Sequence, residues 1–295
     1  EGTGESRPLR LRQTRGDPAH RRQQPVGARV VRKVEEQVEA GLTRLAAVFS
    51  SKIPSIIGPV RSARISDLEI LEQFGRVAFA YSGAQKKLLP VIAEANVENL
   101  GAQRQSSEIY ANDPLRNPPT AMILQARTLM QKVEEQKLPV AVSKNAGWTF
   151  ADSFDTGTAI ASAKVSWPAN SYDAVWSESE ERWLLFHSGV PNLAASGIHL
   201  GASTFVIQIV SITPSEYGDK FGGVTPLSET IGTGKAYVLR DGELFATTWN
   251  RPFADSGTSF TLPDGSPMFF APGQVWVALT DREPEFTSRA IEKTK

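Results

Sequence analysis

The chain has 295 residues, 40% of them apolar and 22% charged, enough for roughly two domains with buried cores. Its 32 basic and 32 acidic residues cancel, so bulk charge recruits neither nucleic acid nor membrane. The absence of cysteine excludes disulfides, thiol catalysis and thiolate metal sites, and no apolar run reaches transmembrane-helix length.

Charge is unevenly spread. Arg7, Arg10, Arg12, Arg15, Arg21, Arg22, Arg29, Arg32 and Lys33 crowd the start, against Glu1, Glu5 and Asp17. Residues 1–28 are expected to be an extended basic arm, either simply solvated or tethering the protein to an anionic polymer or membrane. A start at Glu1 is compatible with an upstream signal segment or lipid-bearing cysteine, which Gly2, Gly4, Ser6 and Pro8 would follow as a short tether.

Between 30 and 49, Val34, Val38, Leu42, Leu45 and Phe49 recur at helical spacing. The same stretch also reads as two strands turning at Glu39-Ala40-Gly41, which Gly41 and Ala47-Val48-Phe49 favour. Periodicity leaves both open. After the apolar run Ile53–Ile57 comes Gly58-Pro59-Val60-Arg61-Ser62-Ala63-Arg64, with a helix expected to begin near Ser62 and a helix-start pattern at Ser66-Asp67-Leu68-Glu69. A buried strand over Arg76–Tyr81, a turn at Ser82-Gly83, a helix over Ala84–Ala95 and another over Pro119–Gln136, signalled by Pro118-Pro119, predict an α/β N-terminal domain over 29–145.

Beyond it the character changes. Val140–Val142, Ala159–Val165, Ala174–Trp176, Trp183–Phe186, Thr204–Val210, Ala236–Leu239, Leu244–Trp249 and Val275–Leu279 read as short strands. Asp241-Gly242, Asp264-Gly265 and Pro272-Gly273 supply turns. This predicts a mainly antiparallel β domain over 146–283, a polar tail over 284–295, and an α+β fold overall.

The chemistry concentrates in Arg44, Arg61 and Arg64, with Thr43 and Ser62 as hydroxyl donors. Two arginines bracketing a small-residue turn at a helix start suit a carboxylate or phosphate. The same residues could instead form an internal ion-pair hub with Glu35, Glu39 or Asp67. Glu35 and Glu39 are an acid/base candidate pair, because an even spacing of four shares a face on helix or strand; a solvated face or a salt bridge to Arg44 is the plainer reading. Ser82 ends a strand, where nucleophiles occur but where small residues are also wanted for turning. Gly232-Thr233-Gly234-Lys235 is not a phosphate loop: Glu229 stands where its first glycine belongs, and Ala236 follows the lysine. His187 and His199 flank one loop and read either as loop-packing residues or as half a metal site. Asp152 and Asp155 read as turn formers. No metal or cofactor is assigned.

These residues also carry a likeness. Glu35-x3-Glu39-x-Gly41-Leu42-Thr43-Arg44-Leu45, Ala47-Val48-Phe49, the Gly58–Arg64 motif and Asp67 resemble the YerB-like bacterial lipoprotein family, a two-part domain of unknown function. Ser82-Gly83, Gly232-x-Gly234-Lys235-Ala236-Tyr237, Asp241-Gly242, Thr248-Trp249-x-Arg251 and Pro272-Gly273-Gln274-Val275-Trp276-Val277 follow in that family's order, so the likeness spans about residues 20–280. The departures are specific. Leu9–Thr14 replaces an apolar strand ending in Asp-Asn, and Val31 stands where an aspartate is expected. Pro118-Pro119-Thr120 after Arg116, and Gly189-Val190-Pro191-Asn192, each lack a histidine.

The resemblance implies an envelope location, and the lost histidines favour binding over turnover. The expectation is an extracytoplasmic protein that binds an anionic small molecule or envelope polymer, with no specific nucleic acid partner. Its binding set would be Arg61, Arg64, Arg44, Thr43, Ser62, Ser82, Gly83 and Arg116. The alternatives are a hydrolase of an envelope polymer using Glu35 and Glu39, and an interaction scaffold anchored by exposed Trp183 or Trp249.

Overall fold

The computed structural model describes residues 32–50, 52–141, 146–219 and 222–289; the expected basic arm over 1–28 lies outside them. The stretch that periodicity left undecided is a hairpin. β1 (Arg32–Gln37) and β2 (Thr43–Val48) pair antiparallel, with Glu36 opposite Arg44 and Gln37 opposite Thr43. The turn Glu39–Gly41 needs positive φ at Ala40 (58°) and Gly41 (68°), which glycine adopts without strain. Space fixes Gly41 as well. A Cβ there would lie 2.5 Å from Pro168 Cβ, and its carbonyl accepts from the Ala169 amide at 3.0 Å.

The first half continues with β3 (Ile56–Ile57), α1 (Ile65–Glu72), β4 (Val77–Phe79), α2 (Leu88–Glu94), β5 (Val97–Asn99), β6 (Tyr110–Asn112), β7 (Met122–Gln125) and α3 (Ala126–Glu135). The expected α/β alternation shrinks to one unit, β4–α2–β5, whose strands run parallel. β3, β7 and β6 form a separate antiparallel sheet. The helix expected over Pro119–Gln136 therefore splits: its first turn is β7, paired on both sides, and only Ala126 onward is helical. Leu124 at the centre of that small sheet is buried, so sheet pairing outweighs the run's helical spacing. The Ala84–Ala95 helix starts only at Leu88, and Val140 and Ala141 are not in a strand.

The second half contributes β8 (Thr149–Phe150), β9 (Thr158–Ser166), β10 (Ser171–Ser177), β11 (Arg182–His187), β12 (Val190–Pro191), β13 (Gly201–Ala202), β14 (Thr204–Ile209), β15 (Ser211–Gly218), β16 (Val224–Glu229), β17 (Gly232–Arg240), β18 (Glu243–Arg251), β19 (Ser259–Thr261), β20 (Phe269–Phe270), β21 (Val275–Thr280) and β22 (Glu285–Ser288). The protein is mainly β, built on a curled 13-stranded sheet whose main path is β12-β11-β10-β9-β18-β17-β14-β21-β1-β2, with β13, β19 and β22 pairing off it to β11, β18 and β9. That sheet is mixed rather than antiparallel, because β21 runs parallel to both β14 and β1. The reason is legible in β21 itself. Val275, Val277 and Leu279 enter one core and Trp276 and Ala278 the other, and a strand buried on both faces reads as a continuous apolar run. Within the polar tail, β22 pairs with β9.

Two motif glycines and a tryptophan explain one another. Gly234 lies opposite Trp249 across the β17–β18 hairpin, and a Cβ on Gly234 would come within 2.6 Å of the indole Nε1. That nitrogen donates to the Ile209 carbonyl at 2.8 Å. Asp241-Gly242 closes the hairpin with positive φ at both residues, 53° and 75°, as a tight primed turn requires. Trp183 and Trp249 are core residues, so neither is an exposed anchor.

The helix that carries Asp67 is clamped to the large sheet. Buried Arg251 donates to the Glu69 carbonyl and to Thr230 Oγ1, both at 2.7 Å. Ser66 Oγ accepts from the Ser228 amide at 3.0 Å, and Gln73 accepts from Thr258. The charged loop before α1 is therefore held on a fixed base.

Candidate functional site: an arginine-lined cavity along an edge strand

A cavity of about 1050 Å³ runs along β2, lined from Leu42 to Ser50 on one side and from Ile57 to Arg64 on the other, with Asp67, Tyr81, Gln85 and Tyr172 also on its wall. The Gly58–Arg64 loop is zipped to the chain around Ser82. The Ser82 amide donates to the Arg61 carbonyl at 3.0 Å, the Ala63 amide to the Gly83 carbonyl at 2.8 Å, and the Val60 amide to the Met122 carbonyl at 2.8 Å. Ser82 and Gly83 thus position the loop by backbone, with the Ser82 amide rather than its hydroxyl engaged.

The three arginines differ sharply. Arg64 is the residue before α1, which starts at Ile65 rather than near Ser62. Its amide donates to Asp67 Oδ2 at 2.7 Å, while its guanidinium grips Glu39: Nη2 donates to Oε2 at 2.9 Å and Nε lies 2.6 Å from Oε1. Glu39 also accepts from Thr225 Oγ1. Burial pushes the Glu39 carboxyl up, but Arg64 and Thr225 outweigh it and hold it below its ordinary value. Arg44 donates to the Ser62 carbonyl at 2.6 Å. Burial and the charges of Arg64 and Arg61 push it down to about 10. Arg61, half-buried on the cavity wall, has no ion pair or side-chain hydrogen bond among the described residues. Arg64 is thus paired internally, whereas Arg61 has no acid partner among the described residues.

The carboxylates also sort differently from the expected pairing. Glu39 sits in the turn and is taken by Arg64, so Glu35 and Glu39 do not act as a pair. The coupled pair is Glu36 and Asp67, which the sequence reading did not single out as partners. Burial drives Glu36 well above its ordinary value and Asp67's charge drives it further; burial raises Asp67 to about 6 against the pull of the Arg64 amide and the arginines. Glu36 Oε2 is buried without a hydrogen-bond partner. On the opposite face of β1, burial pushes Glu35 up to about 7 against a hydrogen bond from Thr43 and the charge of Lys33. Thr43 Oγ1 in turn accepts from Asn170 Nδ2 at 2.9 Å. Burial favours the protonated forms of Glu36 and Asp67, and Glu39 is taken by Arg64, so Arg44 and Arg61 are only weakly opposed by acids on this side of the sheet.

The remaining candidates lie elsewhere. Arg116 is exposed, pairs with Asp113 at 3.2 Å and does not line the cavity. His187 stacks on Tyr172, with ring centres 4.9 Å apart, whereas His199 bonds the Leu185 carbonyl at 2.7 Å. They do not form half a metal site, and no cluster of three metal-ligating His, Cys, Asp or Glu exists among the described residues.

The two halves of the chain match two family models, the protein of unknown function (DUF3048) N-terminal domain over residues 26–139 and the DUF3048 C-terminal domain over 163–277. The chain belongs to the DUF3048 family. A solved relative of similar shape is the YerB protein from Bacillus subtilis, whose crystal structure superposes with a TM-score of 0.69 over 89% of this chain and 87% of that one, at 19% identity. At that identity the likeness establishes the fold alone. No curated protein matches the chain. Within this DUF3048 member, every contact of the Gly58–Arg64 loop described above lies inside the first matched region, and Glu39, held by Arg64, carries the link to Thr225 in the second.

Proposed function

We propose that this DUF3048 protein is a binding protein of the cell envelope that takes an anionic ligand, a small molecule or a wall-polymer segment, in the cavity along β2. Arg61 carries the reading: a guanidinium on a cavity wall, with no acid partner among the described residues, is a ready partner for a carboxylate or phosphate. Arg44 adds charge behind it and Ser62 a hydroxyl, whereas the Thr43 hydroxyl is taken by Glu35 and Asn170 on the other face of the sheet. Arg64 holds the loop rather than the ligand. The envelope location rests on the likeness to the YerB-like family. The test is calorimetric titration of wild type and Arg61→Ala with carboxylate- and phosphate-bearing wall fragments. Saturable binding that Arg61→Ala weakens at least about 10-fold supports the reading; equal binding by both refutes it.

A second reading, a hydrolase acting on an envelope polymer, gains from Glu36 and Asp67, two carboxyls on the cavity wall whose protonated forms burial favours. Two buried carboxyls whose environments raise their pKa values provide an acid near neutral pH. Turnover of wall material that Glu36→Gln abolishes, with stability retained, would establish it.

A further inference from the structure

β2 is the last strand of the large sheet, and β3 is the last strand of the small one. Both border the same cavity. The Val38 amide bonds the Leu42 carbonyl at 2.8 Å, and antiparallel pairs alternate between bonded and non-bonded. In the β1–β2 register, with Glu36 opposite Arg44, this assigns the β1-facing bonds to Arg44, Ala46 and Val48. The amides and carbonyls of Thr43, Leu45 and Ala47 consequently point away from the sheet. Among the described residues no other strand pairs with them. Natural sheets guard such edges with lysine, proline, bulges or a covering loop. The strand Thr43–Val48 carries one charge, Arg44, which is drawn to the Ser62 carbonyl, and no lysine or proline, and its pairing with β1 is continuous. Leu45 at 39% and, on β3, Ile56 at 55% are unusually exposed for their type. At one end of this open edge stands the unpartnered Arg61.

Resting on the anion-binding reading, we infer that the ligand is an extended peptide that adds as a strand to β2 and lays a carboxylate, from its C-terminus or an acidic side chain, on Arg61. Backbone groups of Thr43, Leu45 and Ala47 supply the sequence-independent hydrogen bonds, as in other strand additions. β2 is six residues long, so a peptide of about six residues, near 20 Å extended, matches it. Charge complementarity selects the acidic end. A free polysaccharide or inorganic anion would use Arg61 but has no strand to offer the edge.

The experiment starts from a displayed library of random hexapeptides with free C-termini, selected on the full chain, and each enriched peptide is then measured on wild type and on Arg61→Ala. Enriched peptides are resynthesised in three forms: native, C-terminal amide, and N-methylated at alternate amides. Binding is read by fluorescence anisotropy, and Leu45 amide exchange by NMR. The inference expects N-methylation to weaken binding at least about 10-fold, and Leu45→Pro, at an exposed site whose N–H faces outward, to do the same with an unchanged circular dichroism spectrum. It also expects protection of the Leu45 amide when peptide is bound. Peptides that bind equally well when N-methylated, or without Leu45 protection, overturn strand addition while leaving the anion reading intact. Binding indifferent to Arg61→Ala and to C-terminal amidation overturns the anion reading itself. Failure to enrich any peptide overturns the inference, as does self-association through β2, seen as a concentration-dependent dimer that Leu45→Pro abolishes.

Discussion

Replacing Glu35 by glutamine isolates the energetic consequence of burying an acid beside β2. Glu35 is 3% exposed, and Oε2 has no hydrogen-bond partner. Its folded-state pKa is pushed from 4.5 up to about 7, chiefly by burial. Because the folded pKa lies above the unfolded one, the native state binds more protons across that window, so stability falls as pH rises through it. A displacement of that size corresponds to about 3 kcal/mol, most of it lost between about pH 4 and pH 7.5. Glutamine keeps an oxygen for the Thr43 hydroxyl and removes the titration. The assay is urea unfolding of wild type and Glu35→Gln at several pH values in that window. Lys33, lowered to about 8, titrates mainly above it. Contributions from Glu36 and Asp67, which have the same sign, largely cancel in the difference. The difference should grow in favour of glutamine by about 3 kcal/mol as pH rises; parallel curves would refute the burial argument.

Glu39→Gln leaves Arg64 without its counter-charge in a site only 11% exposed. Chemical denaturation should show a loss of about 3–5 kcal/mol, whereas Arg61→Ala should stay within about 1 kcal/mol of wild type. Gly41→Ala combines a positive φ with a Cβ 2.5 Å from Pro168 Cβ, and calorimetry should show a melting temperature at least several degrees lower. Gly234→Ala should move the Trp249 indole off the Ile209 carbonyl, visible as a shifted Nε1–H resonance; an unmoved resonance contradicts that packing.

Much of the second half could be read directly from alternation and turn residues. Thr204–Val210, Leu244–Trp249 and Val275–Leu279 correspond to β14, β18 and β21, and Asp241-Gly242 is the hairpin turn between β17 and β18. The parallel neighbours of β21 were hidden because a doubly buried strand carries no alternation to mark its partners. In the first half, Ala121–Leu124 has helical spacing yet pairs in a sheet, since only tertiary neighbours distinguish the two for a short apolar run. The site was legible in its arginines but not in their fates. The separation of Glu35 and Glu39 by four suggested a shared face, but the chain leaves the strand at Val38 and turns Glu39 toward Arg64. The missed pairing did have a signal: a turn centred on Ala40 places Glu36 opposite Arg44. Asp67 was visible as a helix-start residue and a candidate partner of the arginines but not of Glu36, because that coupling spans two distant segments. No local pattern distinguishes Arg61 from Arg64, since what separates them is the position of Glu39.

The central claim is that the Arg61 guanidinium is an open anion contact. A crystal soaked in selenate, located by its anomalous signal, tests it directly. The account predicts a selenate peak within hydrogen-bond distance of Arg61 inside the cavity, absent from Arg61→Ala crystals. An empty cavity with Arg61 folded onto Asp67 or another acid would contradict it.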